Sequence, residues 1–343
     1  MLPGVCSPHL IPRVCNGPSQ GRGRTPYRDE TINRPGYATA MKVHAILNRE
    51  GGTLRTTDLD LLTSVICDEF RLHGHEIEVV VLGSAEIGEE IRKQSLRGDL
   101  DVLMVGGGDG TVASAAGAVA GTSIALGLLP AGTMNLFARS LQIPLVLDQA
   151  VKALATGRVA EVDIASVNGD YFVHQFAVGL HARMVRTREK LDYASRFGKM
   201  WASVRAVGSA IQSRPSVELK LTVDGKLETI RTPAVAISNN VYGDGHVPFA
   251  DDPQGGKLGI YLMRSSDRGA VLKLTVDMMR GAWKANENLT VAAADDIRIE
   301  YRGAKTKDRA VMDGELKDLA RVSNVKIHRR GLKVLVPEEA TFA

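Results

Sequence analysis

Residues 98–121 read GDLDVLMVGGGDGTVASAAGAVAG, and the rest of the chain takes its meaning from them. The run from Asp101 to Val105 fits a strand buried on both faces. Gly107, Gly108 and Gly110 then surround Asp109, and after Thr111 the residues Val112, Ala115, Ala116 and Val119 recur at helical spacing. A strand that turns through glycines into a helix presents unpaired N–H groups where the helix dipole favours an anion. Glycines alone also make an ordinary tight turn. Asp109 alters that balance. A carboxylate among phosphate-facing amides would repel the phosphate unless a cation lies between them, which points to metal–nucleotide chemistry.

Two other nucleotide loops fit poorly. A Walker A loop ends in Gly-Lys-Ser/Thr, and no such ending occurs in the chain. A dinucleotide fingerprint needs an acidic residue about 20 positions downstream to hold a ribose. That region reads LGLLPAG and holds no acid.

Outward from this loop, strands and helices alternate from Met41. KVHAIL, EIEVVVL, DVLMV and SIALGLLP read as strands. Leu59, Leu62 and Ile66 mark a helix that Gly74 ends, and Met134, Phe137 and Leu141 mark another before Pro144. Such alternation predicts a doubly wound α/β domain with a parallel sheet over residues 41–160. After about residue 160 the texture becomes β-rich, with hairpins expected at Asn168-Gly169 and Asp224-Gly225 and further strands at AVAIS, KLGIYLM, IRIEY, RAVMD and NVKIHRR. The prediction is a second, mostly antiparallel, sandwich-like domain over 161–314, with residues 315–338 returning to the first. Residues 182–212 are helical in character. Residues 1–40, rich in Pro, Gly and Arg without periodicity, read as a disordered extension that also fits a targeting segment or an upstream start before Met41.

Composition narrows the classes. The chain has 343 residues, enough for two domains, and a net charge of +4 with no long Lys/Arg block, which argues against a nucleic-acid protein and leaves room for weak attraction to anionic membranes. No stretch approaches the roughly 20 apolar residues of a membrane span. Cys6, Cys15 and Cys67 form neither a zinc spacing nor a disulfide framework. The expectation is therefore a cytoplasmic protein, with peripheral contact at the inner membrane face and a homodimer left open.

VGGGDGT followed by LLPAGTMNLFARSLQIP, then VDIASVNGDYF, ISNN and VMDGE, resembles the catalytic domain shared by diacylglycerol kinases, sphingosine kinases and bacterial lipid kinases, which is distantly similar to NAD kinases. The resemblance spans roughly residues 41–337. It implies two domains with ATP in the cleft between them, Mg2+, and phosphoryl transfer to a hydroxyl of a lipid substrate at a membrane surface. Carried over by position, it puts Gly107, Gly108, Asp109, Gly110 and Thr111 on one nucleotide loop and Ala131, Gly132, Thr133 and Asn135 on a second. Asn48 ends the first strand, and Asp313 and Glu315 match an Asp-Gly-Glu catalytic motif. In this reading Asp313 is the general base, Glu315 holds metal or orients the nucleophile, and Asp109 joins the metal–phosphate network; the roles of Asp109 and Asp313 are interchangeable at this stage.

The chain departs from the family pattern at two places. Leu136 stands where relatives usually carry Asp, and Gly255 stands where an Asp helps to bind a structural magnesium. Asp251 or Asp252 is a candidate substitute for the latter. Asn239 and Asn240 read more simply as loop caps. Tyr193, Phe197, Trp201 and Val204, mixed with Arg196, Lys199 and Arg205, fit either a core-facing amphipathic helix or a membrane-facing lid. Two other functions remain open, a kinase of a soluble substrate such as NAD and a silent lipid- or nucleotide-binding regulator.

Overall fold

A computed structural model describes residues 40–179, 217–245, 247–265, 267–302 and 309–342. The N-terminal extension before Ala40 and the helix expected at 182–212 lie outside the described residues. Four strands, β1 (Lys42–Asn48), β2 (Glu76–Leu82), β3 (Val102–Gly107) and β4 (Ala125–Pro130), run parallel in the order β2-β1-β3-β4. Every residue of β3 and β4 is buried, as a parallel sheet covered on both faces requires.

The helices follow their sequence signals closely. Asp58 caps α1 (Leu59–Leu72) by accepting from the amides of Asp60 and Leu61 at 3.1 and 3.0 Å, and Leu62, Ile66 and Phe70 form its buried stripe. Gly74 ends it with φ +82°. The helix α2 (Ser84–Ser95) precedes β3, and α3 (Asp109–Val119) buries the four residues read at helical spacing. The helix expected from Met134 is shorter: α4 spans Leu136–Ser140 because Asn135 turns through φ +50°. A further helix, α5 (Leu147–Ala155), buries Ala150, Val151 and Leu154.

One strand pair joins the two halves. The strand β5 (Arg158–Val167) runs antiparallel to β16 (Val322–Val336), with a register shift between His328 and Leu332. At its C-terminal end β16 pairs in parallel with β4, and its N-terminal part pairs with β13 (Asp296–Arg302). The β13 strand continues into the hairpin of β8 (Val217–Val223) and β9 (Lys226–Thr232), while β6 (Asp170–Phe172) folds back on β5. A second, antiparallel sheet has the order β12 (Leu289–Ala294), β11 (Leu258–Met263), β10 (Ala234–Ser238), β7 (Gln175–Gly179), β14 (Arg309–Met312), β15 (Glu315–Asp318). Phe172, Phe176, Leu219, Ile237, Ile260 and Ile297 fill the core between the sheets. The connection after β11 contains a helix, α6 (Arg268–Met279), for which the sequence reading gave no expectation.

The Asp-Gly and Asn-Gly turns behave alike. Asn168-Gly169, Asp224-Gly225 and Asp313-Gly314 all carry positive φ at both positions, as tight two-residue hairpin turns need. Cys67 is buried on α1. Among the described residues no helix is long and apolar enough to cross a membrane.

Asp163 fastens the joint between the halves. Its carboxylate is buried on β5 and accepts from Asn240 Nδ2 (2.7 Å), Gly256 N (2.7 Å) and Arg330 N (2.9 Å). Its main-chain carbonyl accepts from Asn239 Nδ2 at 3.0 Å. Three distant segments thus depend on one side chain, and a buried donor left without a partner costs about 1–3 kcal/mol. Asp163→Ala is expected to lower stability by about 3 kcal/mol or more, read as the shift in a urea denaturation midpoint. An unchanged midpoint would show that these donors find other acceptors.

Candidate active site

The glycine loop is built against a second loop. Gly108 caps α3 in an extended conformation (φ −83°, ψ 176°) that any residue adopts, and a Cβ placed there would meet nothing within 4 Å. Its outer side is open space. Gly107 lies under Thr111, whose Oγ1 would be 2.7 Å from an added Cβ. In the second loop Ala131 is buried and its carbonyl accepts from Thr53 N at 2.9 Å. Gly132 is in contact with the first loop: a Cβ there would lie 3.1 Å from Gly108 Cα and 2.8 Å from Asn135 Oδ1. Asn135 Oδ1 in turn accepts from Gly132 N at 2.7 Å. Thr133 is exposed at the loop's tip.

Asp109 bridges the two loops. As the first residue of α3 it has the favourable acidic position for the helix dipole. Its Oδ1 also accepts from Leu136 N at 3.3 Å, capping α4, which Asn135's own side chain does not cap. Leu136 thus contributes its backbone amide to the site. Burial raises the Asp109 carboxyl, against the amides of Leu136, Asp109 and Asn135 that hold it down. Asn48 organises the loop after β1, accepting from Glu50 N at 3.0 Å and Ser84 Oγ at 3.3 Å.

From the second sheet, the β14–β15 turn brings Asp313 and Glu315 to the same place. The Asp313 carboxylate is buried and accepts from three successive amides, Val173 at 2.8 Å and His174 and Gln175 at 2.9 Å each. Its own N–H donates to Gln175 O at 2.9 Å. Burial pushes the carboxyl up to about 6 against those amides, and the charge of Asp109 adds to the rise. Asp109 and Asp313, 204 positions apart in sequence by subtraction of their numbers, therefore feel each other. Glu315 Oε1 lies 2.7 Å from where a Cβ on Gly110 would stand, and its other oxygen is 3.3 Å from Lys317 Nζ. Glycine at 110 gives this carboxylate access to the first turn of α3.

The remaining sequence candidates have structural partners. Asn239 and Asn240 are tied to Asp163. Asp252 Oδ1 accepts from Gln254 N at 2.8 Å, and the carboxylate of Asp251 lies against Gly243. Among the described residues no group of three or more His, Cys, Asp or Glu side chains is arranged to hold a metal. Asp109 and Glu315 are two carboxylates beside an open loop, and Mg2+ commonly uses one or two carboxylates with phosphate oxygens. The residues at the glycine loop therefore suit a metal–phosphate group. The sequence reading missed Val173–Gln175 and Tyr242, whose hydroxyl lies 3.2 Å from His174 Nε2. Nothing local in YFVHQF or NNVYG signals a meeting made by sheet pairing.

The model of the diacylglycerol kinase catalytic domain matches residues 42–167, and that of the YegS C-terminal NAD kinase beta sandwich-like domain matches residues 175–336. The chain belongs to the diacylglycerol kinase-like lipid kinase family. A Mycobacterium tuberculosis protein named diacylglycerol kinase is 25% identical over 240 residues, covering 67% of this chain and 76% of its own. The crystal structure of a diacylglycerol kinase from Bacillus anthracis superposes with a TM-score of 0.63 at 17% identity, over 89% of this chain and all of that one. At that identity the structural likeness speaks for the fold. Together these matches give a kinase family fold, with an N-terminal α/β domain and a C-terminal antiparallel sandwich.

Asp313 gives the site a measurable pH signature. Its folded pKa stands above the unfolded value, so its contribution to stability is fully present below about pH 4 and is lost as pH rises through about 6. A carboxyl 13C titration is expected to place Asp313 near that upper value. A midpoint in the ordinary carboxylate range would mean that the three amides outweigh burial.

Proposed function

We propose that this protein is an ATP- and Mg2+-dependent lipid kinase that transfers the γ-phosphoryl group to a lipid hydroxyl, with diacylglycerol as the first candidate. The observation that carries the reading is the meeting of Asp109, Asp313 and Glu315 around a glycine loop whose outer side, at Gly108, is open. Bound Mg·ATP would supply the transferable phosphoryl group and a cation to neutralise its charge. The chain's part is positioning and charge placement, which is most of what phosphoryl transfer asks of a protein.

In this proposal the α3 amides and the two loop backbones cradle phosphate, while Glu315 holds the cation. The sequence reading gave the general base to Asp313. Three of its roughly four acceptor positions are taken by amides, and the carboxylate is buried. Asp313 is therefore better suited to anchor the segment 173–175. Asp109, half-buried and raised in pKa, suits acceptance of the hydroxyl proton as attack proceeds. The assignment of the two aspartates is thus reversed in this reading.

The test is product analysis with an extracted lipid mixture and ATP, followed by single-turnover rates and Mg·ATP affinity for Asp109→Asn and Asp313→Asn. Asp109→Asn is expected to slow transfer by about 10²- to 10⁴-fold with a far smaller loss of Mg·ATP affinity. Asp313→Asn places an NH2 group against an amide donor and is expected to lower the melting temperature as well as the rate. No phosphorylated lipid from the wild-type protein would reject the kinase reading. Near-wild-type turnover in Asp109→Asn would reject its role as base.

A further inference from the structure

Asp109, Asp313 and Glu315 bring three carboxylates to the glycine loop, and a polyphosphate bound there would add further negative charge. Among the described residues no cation bears on the first two. Asp109 feels burial and three amides, and Asp313 feels burial, three amides and Asp109 itself. Glu315 differs. One of its oxygens lies 3.3 Å from Lys317 Nζ, while the other reaches the first turn of α3 at Gly110. Lys317 is thus the cation that the described contacts bring to the site, and the phosphoryl-transfer reading has not used it.

The hairpin sets this pairing. Alternate residues of a strand share a face, so Glu315 and Lys317 stand on one side of β15, paired across the hairpin with Met312 and Ala310 of β14. Leu316 between them is half-buried, and both charged side chains are exposed. The hairpin's other cation, Arg309, pairs with Asp318 on the reverse side. An exposed ion pair contributes little to stability. A lysine has a flexible stem and three donors, so its ammonium can exchange a carboxylate for a phosphate oxygen at small cost. Position decides which phosphate. Asp109, as the base, marks the reacting end of the polyphosphate, and Gly110 is its neighbour in the chain. Glu315 meets α3 there, and it carries Lys317 to the same end.

We propose that Lys317 is a catalytic residue: its ammonium contacts an oxygen of the γ-phosphoryl group and neutralises the charge of the transferring unit, which leaves Glu315 to hold the cation. The inference rests on the kinase reading. In the transfer the acceptor oxygen bonds to the γ-phosphorus as the bond from that atom to the β–γ bridging oxygen breaks. ADP keeps the electron pair, and the hydroxyl proton passes to Asp109. Lys317 takes no part in the proton's path. Its charge acts on the oxygens over which negative charge is spread in the transition state, where a preorganised cation is worth most.

The test compares the full chain with Lys317→Met, which keeps much of the side chain's length and removes its charge. Both proteins are titrated calorimetrically with Mg·ATP and with Mg·ADP, and both are assayed for lipid phosphorylation. Lys317→Met is expected to keep the wild-type melting temperature, because the side chain is exposed. Its kcat is expected to fall by about 10²- to 10³-fold. Its affinity for Mg·ATP is expected to fall about tenfold, with none lost for Mg·ADP. The two nucleotides differ in the γ-phosphate alone, so a merely structural role would weaken both alike. A kcat near that of the wild type, or an unchanged ratio of the two affinities, would each overturn the proposal. Failure of the kinase reading is seen separately. Wild-type protein that binds both nucleotides yet makes no phosphorylated lipid rejects that reading, and the ratio of affinities still decides on Lys317. Wild-type protein that binds neither nucleotide overturns both.

Discussion

The approach of Gly132 to Gly108 sets the geometry of the site. With only 3.1 Å between Gly108 Cα and a Cβ placed on Gly132, a larger residue at 132 would push the loops apart. The short gap lets Asp109 reach from the start of α3 to the amide of Leu136 at the start of α4. It also leaves the open side of Gly108 facing outward, at a helix N-terminus where unpaired amides favour an anion. Two parallel strands, β3 and β4, hold the loops in register, with Gly107 opposite Pro130.

Three aspartates extend this constraint through the molecule by one device. Each lies far in sequence from the amides it binds. Asp109 holds Leu136, Asp163 holds Gly256 and Arg330, and Asp313 holds Val173, His174 and Gln175. A carboxylate accepting backbone hydrogen bonds has little freedom to rotate, and it satisfies donors that irregular segments cannot pair within a sheet. Between them these clamps fix the second loop, the joint at β5 and β16, and the turn that carries Glu315. The cost falls on the carboxylates: burial raises both Asp109 and Asp313, which leaves the site with groups that titrate unusually high for acids.

Much of this was legible in the sequence where a signal is local. The buried run before the glycines, the spacing of Val112, Ala115 and Val119, and the Asn-Gly and Asp-Gly turns each declare an element within a few residues. Asp313 was legible as a site residue by motif, yet its turn has the same backbone as the turn at Asp224, and only the tertiary partners distinguish the two. Asp163 lies inside the motif VDIASVNGDYF but showed no role of its own there, because its meaning comes from loops 77 and 167 residues away. Tyr242 was silent for the same reason. The short α4 followed from the left-handed backbone at Asn135, which competes with the helical spacing of Met134.

The central claim, that the glycine loop is a phosphate cradle, is tested most directly at Gly108. Its backbone conformation needs no glycine, and an added Cβ would meet no atom beyond its chain neighbours within 4 Å, so Gly108→Ala should leave the fold intact. Calorimetric titration of Mg·ATP into the wild-type protein and this variant gives the answer. Loss of at least about tenfold in affinity, or 1.4 kcal/mol, is the result expected if the open side of Gly108 receives phosphate. Equal affinity in a fully folded variant would contradict the account.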